Sequence, residues 1–287
     1  MTTLAATSAG RRRKDWAARS LLALGTGLAL VPLVLVLYFL IKKGLGAWSW
    51  EFFTTDPTGS FLGDPGGVKS ALIGTVLMVG LAALMAVPIG VGVALYLTEY
   101  GGDGRLAKGV RFLIDVMTGV PSIVFGLFVY ISLVVSGIGG TFAAWKGSLA
   151  LALLALPVVA RAAEVVLLLV PSSLREAALA LGAPRWQVVW RVVLPTALPG
   201  IITGTMLAVA RAAGETAPLL FTAAIVNGTS FNFGDRMNSL PAQIFQDVGQ
   251  AQDRLVERAW GAALALVTLI FLLTLVARLV QRRNRLA

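Results

Sequence analysis

The chain has 287 residues, 57% of them hydrophobic and 13% charged, with a formal net charge of +10. Soluble domains carry about 25% charged residues, so this composition describes an integral membrane protein. There is no cysteine and no histidine, which excludes disulfides, thiolate nucleophiles, imidazole bases and the metal sites those side chains build, without excluding carboxylate chemistry.

A spanning helix needs about 20 mostly apolar residues. Six stretches qualify, roughly 21–41, 71–97, 112–136, 148–170, 197–226 and 259–280. The first follows Arg11-Arg12-Arg13-Lys14, is longer than a signal-peptide core, and runs into Lys42-Lys43 rather than a small-residue cleavage site. It is therefore read as an uncleaved span. With a cytoplasmic N-terminus, six spans return the C-terminus to the same side. The inside segments then hold fifteen basic and four acidic residues, the outside segments seven of each. That asymmetry satisfies the positive-inside rule and makes the basic excess topological. Its partner is membrane lipid with anionic headgroups, not nucleic acid.

Two long outside segments follow from this topology. Residues 43–69 are rich in glycine, proline and aromatics (Trp48, Trp50, Phe52, Phe53, Phe61), as in an interfacial belt or a short re-entrant segment. Residues 228–258 mix polar side chains with Phe231, Phe233 and Phe245. Either segment could merely close the spans or receive a binding protein. The run Gly63–Ser70 superficially suggests a phosphate loop, but Val68 separates glycine from Lys69 and no strand precedes it. The chain is therefore expected to have no nucleotide site of its own.

Charges inside spans are costly unless paired or hydrated. Arg161 and Glu164 stand i, i+3 on the fourth span, and Arg211 and Glu215 stand i, i+4 on the fifth, each pair on one helical face. They are either structural salt bridges or the lining of an anion path, in which the planar guanidinium fork would grip a tetrahedral oxyanion. Helix breaks sharpen the second reading. Gly119-Val120-Pro121-Ser122 interrupts the third span and Gly214-Glu215-Thr216-Ala217-Pro218 the fifth, and broken spans commonly mark transport sites. Ser122, Thr216 and Thr222 could donate to a substrate or bond their own helices. Asp115 reads as an N-terminal charge favourable to the helix dipole. Gly200 and Gly204 form a GxxxG pair suited to close helix approach.

Between Pro171 and Pro195 the chain becomes amphipathic. Ser173 and Glu176 have capping-box spacing, Gly182 sits where a helix ends left-handed, and Pro184 suits the first turn of a second helix. Leu174, Ala177, Ala178 and Leu181, then Trp186, Val189, Trp190 and Val193, recur at i, i+3, i+4, i+7. On the charge count this soluble hairpin is cytoplasmic.

The hairpin resembles the EAA loop of ABC-importer permeases, with Glu176-Ala177-Ala178, Gly182 and Val192-Val193-Leu194-Pro195, valine standing for the usual isoleucine. The strings Ala86–Gly90, Tyr96–Gly101, Gly119–Gly126, Arg161–Glu164 and Ala210–Thr222 are similar to phosphate-importer permeases of the PstA type. That resemblance implies an all-α integral membrane protein of the type I importer fold, with six transmembrane helices and both termini cytoplasmic. It divides the chain into a basic tail (1–20), a first span with its outer loop (21–66), a five-span permease core (67–280) and a second tail (281–287). It implies a bacterial inner-membrane location and three partners: a homologous PstC-type permease, a PstB-type ATPase dimer that holds the ATP and Mg, and a PstS-type phosphate-binding protein. The chain itself would bind no cofactor and catalyse nothing. Glu176, Ala177, Ala178, Gly182 and Pro195 would couple to the ATPase, while Arg161, Glu164, Arg211, Glu215, Thr216 and Ser122 would line the phosphate path. Rival readings are a permease for sulfate or molybdate and, from other classes, an ATP-independent anion carrier or an intramembrane enzyme.

Overall fold

A computed structural model describes residues 9–60 and 63–283. Phe61, Arg285 and the first eight residues of the N-terminal tail lie outside them. Twelve α-helices are present among the described residues: α1 (Ala9–Ala47), α2 (Trp50–Thr54), α3 (Lys69–Leu95), α4 (Arg105–Gly119), α5 (Ser122–Val129), α6 (Ala144–Leu168), α7 (Ser172–Ala180), α8 (Arg185–Val188), α9 (Leu194–Ala213), α10 (Ala217–Thr222), α11 (Leu240–Val248) and α12 (Asp253–Arg283). Three π-helical turns continue them, Tyr96–Tyr100 after α3, Tyr130–Val135 after α5 and Val189–Val193 between α8 and α9.

Five helical stretches are long and apolar enough to cross a bilayer, and α4 with α5 makes a sixth only as a pair bent by 102°. The third expected span is thus not one rod. Pro121 ends the α4 ladder because it has no N–H, and Val120 before it is driven to extended backbone (φ −73°, ψ 130°). Pro88 and Pro157, by contrast, lie inside α3 and α6 without ending either helix. The fifth span also differs from the sequence expectation. Helix runs from Arg185 to Ala213 without a break, so the second half of the hairpin is the beginning of that span.

α3 and α6 form the centre, and small residues let their backbones approach. Ala82, Ala86, Ala152 and Ala155 are buried together with Met78 and Leu151. A side-chain carbon added at Gly90 would stand 2.7 Å from Val159. The GxxxG expectation holds as geometry: a carbon at Gly200 would fall 2.5 Å from Val166, and one at Gly204 2.7 Å from Ala162. α9 therefore runs antiparallel along α6 at near-backbone contact, where dispersion replaces the hydrophobic drive that lipid cannot supply.

α1 is about 58 Å long by helix geometry, nearly twice the hydrocarbon thickness. It meets the bundle only near its C-terminal end, where Gly44 packs on Leu264 and Ala47 on Gly261 of the antiparallel α12.

At the bundle end away from the hairpin, residues 43–69 and 228–258 are tied into one layer. Asp56 accepts from the Thr229 hydroxyl (2.5 Å) and backbone N–H (3.1 Å), and Gln252 donates to Gly63 O. Beneath them Arg258 makes a two-pronged pair with Asp247 (both 2.8 Å) and also donates to Pro65 O. Lys146, fully buried at the start of α6, donates to Leu133, Gly140 and Thr141 carbonyls at 2.6–3.0 Å.

Candidate transport site and coupling hairpin

The hairpin begins two residues earlier than capping-box spacing suggests. Pro171 is the N-cap of α7 (φ −59°, ψ 137°), so Ser173 falls inside the first turn and the Ser173–Glu176 box does not form. Its other end matches expectation closely. Gly182 has φ +82°, its N–H bonds Leu179 O (2.9 Å), and the Ala183 N–H bonds Ala178 O (3.2 Å). That is a Schellman closure, which needs a left-handed residue at 182. α7 buries none of its residues. Glu176 and Ala177 are exposed, Ala178 packs partly against the Leu167–Val188–Val193 cluster, and Leu181 is 89% exposed at the tip. The two four-residue stripes do not act as single faces: Val189 and Val193 are buried while Leu174, Leu181, Trp186 and Trp190 are exposed. An apolar rim uncovered by its own chain suits a partner protein. Pro195 does not close the hairpin; the helix passes through it. The preceding π turn, with Leu194 N–H bonded to Val189 O, carries the ladder past a residue that has no N–H.

Four charges meet where α4 crosses α6. Glu164 is 3% exposed; its Oε1 accepts from Arg111 Nε (2.8 Å) and its Oε2 from Arg161 Nη1 (2.9 Å). Arg161 Nη2 in turn pairs with Asp115. Two cations and two anions balance, and burial of Glu164 is tolerated because both carboxylate oxygens are bonded. The expected Arg161–Glu164 pair is therefore real, within a larger cluster. Asp115 is not a helix N-terminal charge: it lies near the C-terminal end of α4, where the dipole would disfavour it, and Arg161 compensates. Arg161 also lines a cavity of about 630 Å³ with Thr118, Ala162, Val166, Thr203 and Gly204. One guanidinium edge is fixed on buried Glu164, while the other is paired with Asp115, whose side chain is more than half exposed.

The Arg211–Glu215 pair is not present among the described residues. α9 stops at Ala213, with Gly214 as its C-cap, so Glu215 lies past the register that an i, i+4 contact needs. Arg211 is exposed. Because Gly204 faces Ala162, Arg211 stands seven residues, about 10 Å, farther along the bundle axis than the Arg161 level. Ser122 and Thr216, both half-buried, have no side-chain hydrogen bond among the described residues, whereas the Thr222 hydroxyl is spent on Pro218 O (2.7 Å). The two interrupted helices meet, since α5 packs on α10 with Gly126 against Pro218. Sequence reasoning missed Arg111, and the only signal for it was a basic residue on the polar stripe of an amphipathic helix.

Residues 86–286 match the family model described as the binding-protein-dependent transport system inner membrane component. The phosphate transport system permease protein PstA 1 of Mycobacterium tuberculosis (strain ATCC 25618 / H37Rv) is 40% identical over 283 residues, covering 96% of this chain and 91% of that protein. The PstA protein of Haemophilus influenzae (strain ATCC 51907 / DSM 11121 / KW20 / Rd) is 45% identical over 237 residues, covering 83% and 82%. This chain belongs to that permease family, in its PstA branch. Among solved structures, a bacterial alginate ABC transporter chain superposes with a TM-score of 0.67 at 16% identity, covering 94% of this chain and 96% of that one. The inward-facing MetNI methionine ABC transporter gives 0.63 at 21%, covering 75% and 94%. These likenesses establish the type I importer permease fold. The chain is thus a multi-pass inner-membrane subunit of an ABC transporter.

Proposed function

We propose that this PstA-branch permease carries inorganic phosphate into the cytoplasm by alternating access, driven by a separate ATPase. The observation that carries the reading is Arg161, held by buried Glu164 on one edge and exposed Asp115 on the other at the wall of the cavity, in a chain 40% identical to a phosphate permease along nearly its whole length. A fully freed arginine in a low-dielectric path would hold a doubly charged anion too firmly to release it. Partial neutralisation by Glu164 and Asp115 keeps the attraction and permits exit. Arg211, about 10 Å nearer the outer end, gives an earlier station, and the unbonded hydroxyls of Ser122 and Thr216 can donate to a passing oxyanion.

The partners follow from the same reading: a PstC-type permease completing the path, a PstB-type ATPase dimer holding ATP and Mg, and a PstS-type protein delivering phosphate to the outer layer of residues 43–69 and 228–258. The chain supplies no ATPase site. Both termini and the hairpin are cytoplasmic, and Glu176, Ala177, Ala178 and the exposed Leu181 enter the ATPase groove. Nucleotide-driven closure of the ATPase moves α7, and the spans reopen outward.

The test is labelled-phosphate uptake by the assembled importer in proteoliposomes, competed with sulfate and molybdate. Uptake should require this chain and ATP and resist both competitors. Equal transport of sulfate or molybdate, or uptake without ATP, would overturn the reading. Arg211→Lys should assemble but carry phosphate poorly, because an ammonium cannot reproduce the bidentate fork.

A further inference from the structure

The charged cluster around Arg161 and the hairpin are joined by an unbroken series of bonds through residues 96–102, the π-helical end of α3 and the turn after it. From one flank, Arg175 of α7 grips Glu99 with Nη2 at 2.7 Å and Nε at 3.2 Å, and donates to Val170 O (2.6 Å) and Leu167 O (3.0 Å) at the end of α6. From the other flank, Arg111 of α4 donates to Leu97 O (3.0 Å) and Gly102 O (3.2 Å), and its Nε reaches Glu164. Glu164 binds Arg161, and Arg161 binds Asp115. Glu99 and Arg175 are both largely shielded from solvent, with side chains 10% and 23% exposed.

α7 buries no residue of its own, so its hold on the bundle rests on Arg175 and on the partial packing of Ala178. A displaced α7 must therefore either break the shielded Arg175 contacts or carry residues 96–102 with it. That segment contains a π turn, held by i→i+5 bonding with the Gly101 N–H on Tyr96 O, a departure from the α-helix that is frequent at functional sites. Any shift of the Leu97 and Gly102 carbonyls moves two of the three groups that aim Arg111 at Glu164.

We propose that Glu99, Arg175 and Arg111 are positioning residues that transmit displacement of the coupling helix to the Arg161 anion site, so that they set how much ATP is hydrolysed per anion moved. This rests on the phosphate-importer reading above. It differs from a merely structural role because the ATP-to-phosphate ratio, and not only the amount of assembled complex, depends on these bonds. A physical chain of contacts warrants coupling only when both ends respond, so the test reads both ends.

The experiment uses the whole importer in proteoliposomes and measures ATP hydrolysis and labelled-phosphate uptake together. Glu99→Gln keeps the shape and removes the charge. It should raise the ATP hydrolysed per phosphate above the parental ratio. Glu99→Gln with Arg175→Gln should be no worse than either alone, because both act through one contact. Arg111→Lys keeps a cation beside Glu164 but loses the carbonyl bonds, and should raise the ratio in the same way, so the relay is read even where Glu99→Gln assembles poorly. Because the chain lacks cysteine, Thr118→Cys in the cavity can report the other end. Its reactivity toward a charged thiol reagent should change with ATP and vanadate in the parent, and not in Glu99→Gln. A parent-like ratio in the assembled variants, additive losses in the double variant, or unchanged switching at position 118 would each overturn the relay. Failure of the parent to import phosphate would instead overturn the functional reading beneath it.

Discussion

Gly126 faces Pro218 so closely that a side-chain carbon at 126 would stand 2.6 Å from the Pro218 Cα. Two helices that the sequence interrupts, at 119–122 and at 214–218, thus lean on each other through a glycine and a proline. Both residues are buried, and Phe221 on α10 packs at a tilt against Tyr130 beyond α5 (6.1 Å between centroids). Gly126→Ala must push backbone, not a flexible side-chain tip. Overpacking of this kind costs about 1–3 kcal/mol. The variant should lose phosphate uptake at expression levels where the parent is active, with a lowered thermal midpoint of the detergent-solubilised complex. An unchanged midpoint would show that α5 and α10 separate freely.

Gly182 needs its backbone conformation and not space, since nothing lies within 4 Å of a carbon added there. At φ +82° a β-carbon costs about 1–2 kcal/mol. Gly182→Val should therefore fray the hairpin and reduce ATP-coupled uptake strongly, Gly182→Ala less, and Gly182→Asn least because asparagine tolerates the left-handed region. Equal uptake by all three would detach the turn from coupling.

The left-handed end of α7 at Gly182 is legible in the sequence because glycine acts on its own backbone, whereas the capping box and the amphipathic stripes misplace the helix start and its buried face. The Arg161–Glu164 pair is legible too, since both residues sit inside one uninterrupted helix. Arg211 and Glu215 mislead because a helix end falls between them, and an i, i+4 rule fails one residue past the last turn. The partners of Asp115 and Arg111 are not legible in the sequence. They lie 46 and 53 residues away, and the contact exists only because the 102° bend at Pro121 lays α4 across α6. Hydropathy finds six apolar stretches, but not which of them folds into two pieces.

Glu164→Gln separates the structural part of the cluster from the transport part. It leaves Arg111 and Arg161 with one carboxylate between them, Asp115, which is more than half exposed. Breaking a fully buried pair costs about 3–5 kcal/mol, and the partial exposure of both arginines reduces this to about 2 kcal/mol. The complex should therefore assemble with a lower thermal midpoint. Phosphate should also leave more slowly, because the edge of Arg161 that Glu164 held is now free to grip it. Single-turnover release measured after rapid mixing would show this, and release at the parental rate would assign Glu164 to folding alone.

Arg258 and Asp247 provide the matching control far from the path. Their side chains are 6% and 1% exposed, both carboxylate oxygens are bonded, and Gln243 Nε2 adds a third contact to Asp247 Oδ1 at 2.9 Å. Gln243 also accepts from Asn238 (2.6 Å), and the Leu240 N–H reaches Thr75 Oγ1 of α3 (2.8 Å). The pair thus fixes α11 to α12 and, through this network, the outer layer to the bundle. Asp247→Asn leaves a buried guanidinium without its counter-charge and should cost about 3–5 kcal/mol. Replacing both residues with apolar ones, as in Arg258→Met with Asp247→Leu, should recover most of that loss, since no orphaned charge remains. Thermal unfolding of the two purified variants decides the point. A double variant no more stable than Asp247→Asn would mean that the guanidinium contact with Pro65 O, and not the ion pair, holds the outer layer in place.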